Sequence, residues 1–414
     1  MKKIVIYDPK DDQIGSYRGG GRIIQILKEN LPKTDFASDL SKIHHDDILL
    51  IPHFNLFSPP ITNKRLTNNQ FLIIFDVIPL KYSEHFPAGL RGNFNLWRNK
   101  RALNNFDKII TISESSKKDI IRYLQVPEEK IEVIYPCLSQ IFIDKKNEVG
   151  SEKLDNEVRS EKIENRKIKN ISLQRNEATN PASHFSHLTS SYCIYVGDVN
   201  WNKNLVNLAK AIKIADIPCV FVGKVFNTLT EGDNKIFAAS QLSEQASPDG
   251  ALAHARSHKG RAFPSNGMRV DLARKSLLST LDHPWQLEFK QFLEEVGDDP
   301  RFIFLGYVED SELVELYRDA LCNILVSRDE GFGLSYLEAS SQKCPSVLSD
   351  IPIFREIAAT SALFCNHLSP ASISENILKF LNSDLRRKIG ENAYNYIQKY
   401  SPIIFRSNLM NQFR

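Results

Sequence analysis

Residues 326–344 read VSRDEGFGLSYLEASSQKC. An apolar, strand-like approach ends at Ser327, a Gly331-Phe332-Gly333 turn follows, and a helical pattern then carries Glu338 in its first turns, while Glu330 stands immediately before the turn. Glycines between a parallel strand and a helix let backbone N–H groups approach a ligand, and a helix N-terminus favours negative charge. The spacing predicts a phosphate or diphosphate at the carboxyl end of a sheet. Two carboxylates beside such a guest repel it unless they accept hydrogen bonds from hydroxyls, which a sugar and a ribose supply. The competing reading makes Glu338 an exposed acid held there only by the helix dipole.

Two similar junctions precede this one. Residues 196–204, VGDVNWNKN, place Lys203 where a helix is predicted to begin. A cation there opposes the helix dipole, so an anionic partner would account for it. Residues 16–21, SYRGGG, open a helix after the first strand, and Gly19, Gly20 and Gly21 permit close backbone approach. This cluster lacks a full dinucleotide fingerprint. Three such junctions along one chain carry more weight than any of them alone.

Farther out, β-branched runs at 2–7, 47–52, 70–76, 108–113 and 131–136 alternate with helical patterns at 20–31, 94–106 and 114–124. The alternation restarts with strands at 192–198, 219–224, 302–306, 322–327, 345–350 and 362–365. Helices are predicted between them near 203–212, 285–296, 311–320, 334–342 and 372–381. Strands apolar throughout imply parallel sheets covered on both faces. The restart implies an α/β fold of two doubly wound, Rossmann-like domains: residues 1–185, ending in a polar linker, and residues 190–400. Residues 144–190 and 228–281 are polar and break the rhythm; they read as linker and surface insertion, or as functional lids.

Composition narrows the function classes. With 42% hydrophobic and 25% charged residues, the chain is neither collagen-like, disordered nor a coiled coil. Its 53 basic and 50 acidic residues leave a net charge of +3, too small to point to nucleic acid. The apolar runs are of strand length, so no bilayer-spanning helix is expected, and MKKIVIYDPKDD is unlike a secretory signal. The six cysteines show no C-x-x-C pair and no histidine at metal-ligand spacing. The expectation is reduced, buried thiols, no metal and a cytoplasmic location.

Taken in order, these stretches resemble the retaining glycosyltransferases of family 4, the group 1 and mannosyltransferase-like enzymes that use nucleotide-sugar donors. EGFGLSYLEAS (330–340) matches their signature of two glutamates eight positions apart, and GDVNWNKNLVNLAKAI (197–212) is similar to their donor loop. FLGYVEDSELVELYRDA (304–320) resembles the base-contacting strand and helix. Residues 75–90 and 106–136 resemble parts of the acceptor domain. The resemblance implies a GT-B fold, its domains facing across a cleft, with the acceptor in the first domain and the donor in the second. It also implies that residues 401–414 form a helix crossing back to the first domain. Glu330 would meet hydroxyls of the transferred sugar, Glu338 those of the ribose, and Lys203 the diphosphate. Gly331, Phe332, Gly333 and Leu334 would cradle the donor through their backbone, beside Ser327 and Asn202. Gly19 and Gly20 would approach across the cleft, and Tyr307 and Val308 would lie beside the base. The implied reaction is metal-independent and retaining. It would use a GDP- or UDP-linked hexose, with no further cofactor, and a glycan or lipid-linked acceptor in cell-surface polysaccharide assembly, including lipopolysaccharide.

Two departures qualify this. Phe75 stands where many relatives have histidine, so Asp76 or another residue must serve, or no such contact is needed. Asn202 replaces an arginine beside Lys203, which weakens the cationic clamp unless Arg18 or Arg328 reaches the diphosphate. The rival readings are a non-catalytic nucleotide-sugar-binding or assembly protein, and a hydrolase or epimerase of the same architecture. On the acceptor side, Ser113 and His53 are candidates; His53 reads either as a ligand residue or as a loop histidine bonded to backbone. Finally, residues 81–122 hold nine Lys/Arg against four Asp/Glu, with Phe94, Trp97, Leu103 and Phe106 at helical spacing. This is either a core helix with a solvated basic face or a basic surface meeting an anionic membrane peripherally, on its inner face.

Overall fold

The computed structural model describes residues 3–8, 18–32, 34–143, 191–229, 278 and 281–413. Strands β1 (Ile4–Tyr7), β2 (Asp35–Ala37), β3 (Ile48–Ile51), β4 (Asn69–Ile73), β5 (Lys108–Thr111) and β6 (Ile131–Val133) form one parallel sheet in the order β2-β1-β3-β4-β5-β6. Strands β7 (Cys193–Val196), β8 (Cys219–Val222), β9 (Phe302–Gly306), β10 (Cys322–Leu325), β11 (Ser346–Ser349) and β12 (Leu363–Cys365) form a second, ordered β12-β11-β10-β7-β8-β9 and also parallel. The helices of the first half are α1 (Arg18–Asn30), α2 (Ile78–Lys81), α3 (Gly89–Ala102) and α4 (Glu114–Asp119). Those of the second are α5 (Leu205–Ala215), α6 (Leu287–Val296), α7 (Asp310–Asp319), α8 (Leu334–Ser341), α9 (Pro352–Ala358), α10 (Pro370–Lys379), α11 (Ser383–Tyr396) and α12 (Pro402–Gln412).

The uninterrupted apolar strands follow from the period of two. Ile48 and Leu50 enter one core while Leu49 and Ile51, facing the other way, enter another. In β7, Ile194 joins one core of the second sheet, and Cys193 and Tyr195 the other. Each sheet is therefore a middle layer between helices. Helix α12 belongs by packing to the first sheet, because Phe405 and Leu409 are buried with Ile6, Ile23, Ile26 and Leu27. Burying two such side chains contributes about 3–6 kcal/mol before entropy, which ties the chain's end back across the molecule. Ser401 caps α12 by accepting from the Ile404 N–H, and Pro402 supplies the fixed φ of its first position.

Several elements differ from the sequence expectation. Strand β2 is a short edge strand, DFA, without a β-branched run to mark it. Helix α9 opens on Pro352, and α11 buries only Ile389, Gly390 and Ala393, too thin a stripe to read as periodic. Helix α5 begins at Leu205, not at 203, because Asn204 takes a left-handed conformation (φ 59°) after a short 3₁₀ turn, Trp201–Lys203. Lys203 thus precedes the helix by two residues rather than opening it. Phe94 and Trp97 are exposed while Leu103 and Phe106 are buried, so the predicted core helix over 94–106 has its aromatic face outside. Residues 144–190 and most of 228–281 lie outside the described residues. Leu229, Leu278 and Leu281, at the edges of the second stretch, pack in the core of the second sheet. All six cysteines are buried and unpaired. No described helix is long and apolar enough to cross a membrane.

Candidate functional site

In the second sheet the strand order reverses between β7 and β10, which are hydrogen-bonded neighbours with connections leading away on either side. Such a switch point leaves a crevice at the carboxyl ends of the strands. The loop after β7 carries Lys203 and the loop after β10 carries Glu330. Their side chains meet at 2.6 Å, with 19% and 9% of each exposed. The Ser327 hydroxyl donates to the same Glu330 oxygen at 2.7 Å, and the Ser327 carbonyl is fixed by Ser349 Oγ at 2.7 Å.

Side-chain amides stitch the two loops together. Asn202 donates to the Asp329 carbonyl at 3.0 Å. Asn204 donates to the carbonyls of Val326 and His367 at 2.9 and 2.7 Å, and the Arg328 N–H donates to the Asn202 carbonyl at 2.7 Å. Asn202, expected beside the donor, is instead buried with its amide committed to backbone. Arg328 is likewise engaged: it pairs with Glu288 at 3.2 Å, donates to the Trp201 carbonyl and lies 4.7 Å above the Trp201 ring. Asn204 was not singled out from sequence. Its signal is the tolerance of asparagine for the left-handed region.

The first domain closes on this loop. A Cβ on Gly331 would lie 3.1 Å from Asp76 Oδ2 and 3.3 Å from the Phe75 carbonyl, so the glycine permits the loop to press against the end of β4. Ser113 and Ser116 both donate to the Gly331 carbonyl, at 2.8 and 3.2 Å. Ser113, expected on the acceptor side, is fully buried; its oxygen also accepts from the Ser116 N–H as the cap of α4. Lys81 pairs with Asp119 at 3.0 Å and, across the domains, with Asp329 at 2.7 Å. Glu356 of α9 accepts from the N–H groups of Glu114 and Ser115 at 2.8 and 3.0 Å, a carboxylate from one domain on the positive end of a helix in the other.

Glu338 is buried in α8, which rules out the exposed-acid reading. Its partner is Arg22 of α1, Nε to Oε1 3.3 Å, and the same guanidinium grips Asp310 at the start of α7 through two bonds of 2.6 Å. Burial raises the Glu338 pKa, with Arg22 opposing. Arg22 was missed in sequence, although it directly follows the three glycines. Gly19 and Gly20 lie in the first turn of α1; the Arg18 side chain is outside the described residues.

Asp76 accepts from the Ile78 N–H at 3.1 Å. Its pKa is raised to about 6, chiefly by burial; Glu330 and Asp329 add to the rise, and the Ile78 hydrogen bond and Lys203 oppose it. Tyr307 is exposed, with its N–H held by Asn227 Oδ1 at 2.6 Å, and Val308 is buried. Phe332 is buried against Tyr135 and Tyr400, while Leu334 at the start of α8 packs against a core of each domain. Gly333 has φ 105°, closed to most side chains. His53 stacks on Tyr7, and its Nδ1 finds no hydrogen-bond partner, so it is not the backbone-bonded loop histidine. Burial lowers its pKa to about 4. No group of three or more His, Cys, Asp or Glu is placed to hold a metal ion among the described residues.

What is assembled is an ammonium and a carboxylate in contact at a switch point, a second buried carboxylate, Glu338, eight residues farther on, and a third, Asp76, facing them from the other domain. Phosphate oxygens accept from an ammonium and sugar hydroxyls donate to carboxylates, so the set complements a sugar diphosphate.

Comparison with known proteins agrees with this architecture. The chain is 36% identical over 115 residues to the serotype-specific mannosyltransferase WbdA of Escherichia coli, a match covering 28% of this chain and 12% of WbdA. It is 33% identical over 82 residues to the O-antigen chain mannosyltransferase RfbU of Salmonella typhimurium, covering 20% and 23%. The matches thus span under a quarter of these relatives' lengths. In structure, it resembles Anabaena HepE in complex with UDP-glucose (TM-score 0.59, 12% identity, covering 100% of this chain and 99% of that one). It also resembles the sucrose-phosphate synthase of Thermosynechococcus elongatus (TM-score 0.57, 12% identity, 100% and 98%). These likenesses show the fold, a two-domain GT-B architecture. The Glycosyltransferase Family 4 model matches residues 21–139 and the Glycosyl transferases group 1 model residues 176–396, more than half of the chain, which therefore belongs to the group 1 glycosyltransferases.

Proposed function

We propose that the chain transfers a hexose from a GDP- or UDP-linked donor to a glycan or lipid-linked acceptor in cell-surface polysaccharide assembly. The observation that carries the reading is the Lys203–Glu330 contact at the switch point, faced by Asp76. The mannosyltransferase relatives and the UDP-glucose complex of HepE support the donor class. Lys203 would turn from Glu330 to the diphosphate and stabilise its departure, freeing Glu330 to accept from sugar hydroxyls. Glu338 would take the ribose. With retention by front-face attack, the bond from the anomeric carbon to phosphate oxygen breaks as the bond to the acceptor oxygen forms on the same face. The acceptor's proton passes to the leaving phosphate. No metal enters this scheme.

Thermal melts with a panel of nucleoside diphosphates and nucleotide sugars test the donor site. A ligand at 100 times its Kd adds about 2.7 kcal/mol of stability. Release of nucleoside diphosphate, measured with an acceptor panel, is expected to fall at least about a hundredfold in Glu330→Gln and Lys203→Met. No shift with any donor would overturn the donor-site assignment. A shift without release across all acceptors would make the chain a binding protein.

A further inference from the structure

Helix α3 is built inside out. Its buried positions are Gly92, Asn95, Asn99 and Ala102, while Leu90 (94% exposed), Phe94 (58%) and Trp97 (49%) stand on the opposite face at i, i+4, i+7 spacing. The inward asparagines are anchors. Asn95 donates to the Phe57 carbonyl at 2.9 Å, and Asn99 to those of Asn55, Leu56 and Ser58 at 3.0, 3.1 and 2.8 Å. Gly92 lets the helix sit close on Phe57, since a Cβ there would come within 3.3 Å of the Phe57 Cβ. Polar groups thus do much of the holding of the helix to the protein, with Leu96 and Ala102, while Leu90, Phe94 and Trp97 are left outside.

The outer face is also basic. Arg91, Arg98, Lys100 and Arg101 lie in α3 and no acid does. Elsewhere in residues 81–122 three of the cations meet carboxylates: Lys81 with Asp119 and Asp329, Lys108 with Glu132, Lys117 with Glu128. Among the described residues no carboxylate pairs with Arg98, Lys100 or Arg101. Instead Arg101 lies 4.0 Å over the Trp97 ring and Arg98 5.9 Å over Phe94, and the two rings stack at 5.8 Å. Aromatic rings interleaved with arginines on a helix lying flat on the surface suit the boundary between headgroups and acyl chains. Unopposed cations favour anionic lipid.

We propose that the outer face of α3, through Leu90, Phe94, Trp97, Arg98 and Arg101, docks the protein on an anionic bilayer surface. The helix is continuous in chain with residues 82–87, which contact the second domain, so docking would hold the acceptor side of the cleft at the membrane. This goes beyond the transfer reaction and does not depend on it.

Flotation of the whole chain with vesicles of equal parts phosphatidylglycerol and phosphatidylcholine, against phosphatidylcholine alone, tests it without any donor. Binding is expected to the anionic vesicles only, to weaken with added salt, and to fall at least about tenfold in F94S/W97S and in R98Q/R101Q. These side chains are on the surface, and an unchanged melting temperature establishes that the variants are folded. Absence of vesicle binding, or equal binding by the variants, overturns the proposal. So does a concentration-dependent dimer that F94S/W97S abolishes, since the face would then be covered by a second copy. Because vesicle binding needs no turnover, its failure and that of the transfer reaction are separate results.

Discussion

Asp76 is costly where it stands. A carboxyl whose folded pKa, about 6, lies above the ordinary 3.8 binds a proton more readily in the folded than in the unfolded chain. That preference stabilises the fold fully below about pH 4 and is lost as pH rises through 6. Above this the buried carboxylate is held ionised against its surroundings. Asp76→Asn is therefore expected to raise stability at pH 8 by about 1–3 kcal/mol, with the gain vanishing near pH 4. Denaturant titrations at the two pH values measure it, and equal stabilities at pH 8 would show that the carboxylate is well compensated. Retaining such a residue is the pattern of a site kept for ligand or chemistry. His53 shifts the opposite way: its lowered pKa means that stability is lost as pH falls from 6.5 through about 4.

At the scale of the element, the loop between β10 and α8 belongs to both domains. Its backbone touches Phe75 and Asp76, its Gly331 carbonyl takes two serine hydroxyls from α4 and its cap, and Asp329 takes Lys81. Gly331→Ala puts a methyl group against Asp76 Oδ2 and a backbone carbonyl, and overpacking of this kind costs about 1–3 kcal/mol. Asp76→Ala in the same chain is expected to recover part of that loss, leaving the clash with the Phe75 carbonyl. A double-mutant cycle by thermal or chemical denaturation reads the coupling. Additive losses would mean that the loop moves away from β4 freely.

At the scale of the molecule, two tryptophans of the second domain grip residues 82–87 of the first. Trp201 stacks on His85 at 3.8 Å and touches Tyr82 and Phe86, and Trp285 meets Phe57 and Phe86 and donates to the Pro87 carbonyl at 3.3 Å. With the Arg22, Lys81 and Glu356 contacts, they hold the cleft shut over the Lys203–Glu330 pair. Trp201→Ala removes the central ring and is expected to shift the domains toward an open arrangement, seen as a larger radius of gyration in small-angle scattering. An unchanged radius would show that the ion pairs alone suffice.

How much of this could be read in advance depends on the distance over which a signal travels. Strand β10, the glycine turn, α8 and the placing of Glu330 and Glu338 around it follow from local rules, as do the two sheets from the βα alternation and the apolar strands. Lys203 could also be singled out from sequence, although on a helix start placed two residues too early, because Asn204 is left-handed. What each group touches was decided only by the tertiary structure. Arg22 on Glu338, Ser113 on the Gly331 carbonyl, Trp201 on His85 and the outward aromatic face of α3 join or separate residues from different domains or elements. Periodicity and propensity act over a few residues, whereas these partners are fixed by how two sheets and their helices come to rest against each other. No local pattern records that geometry.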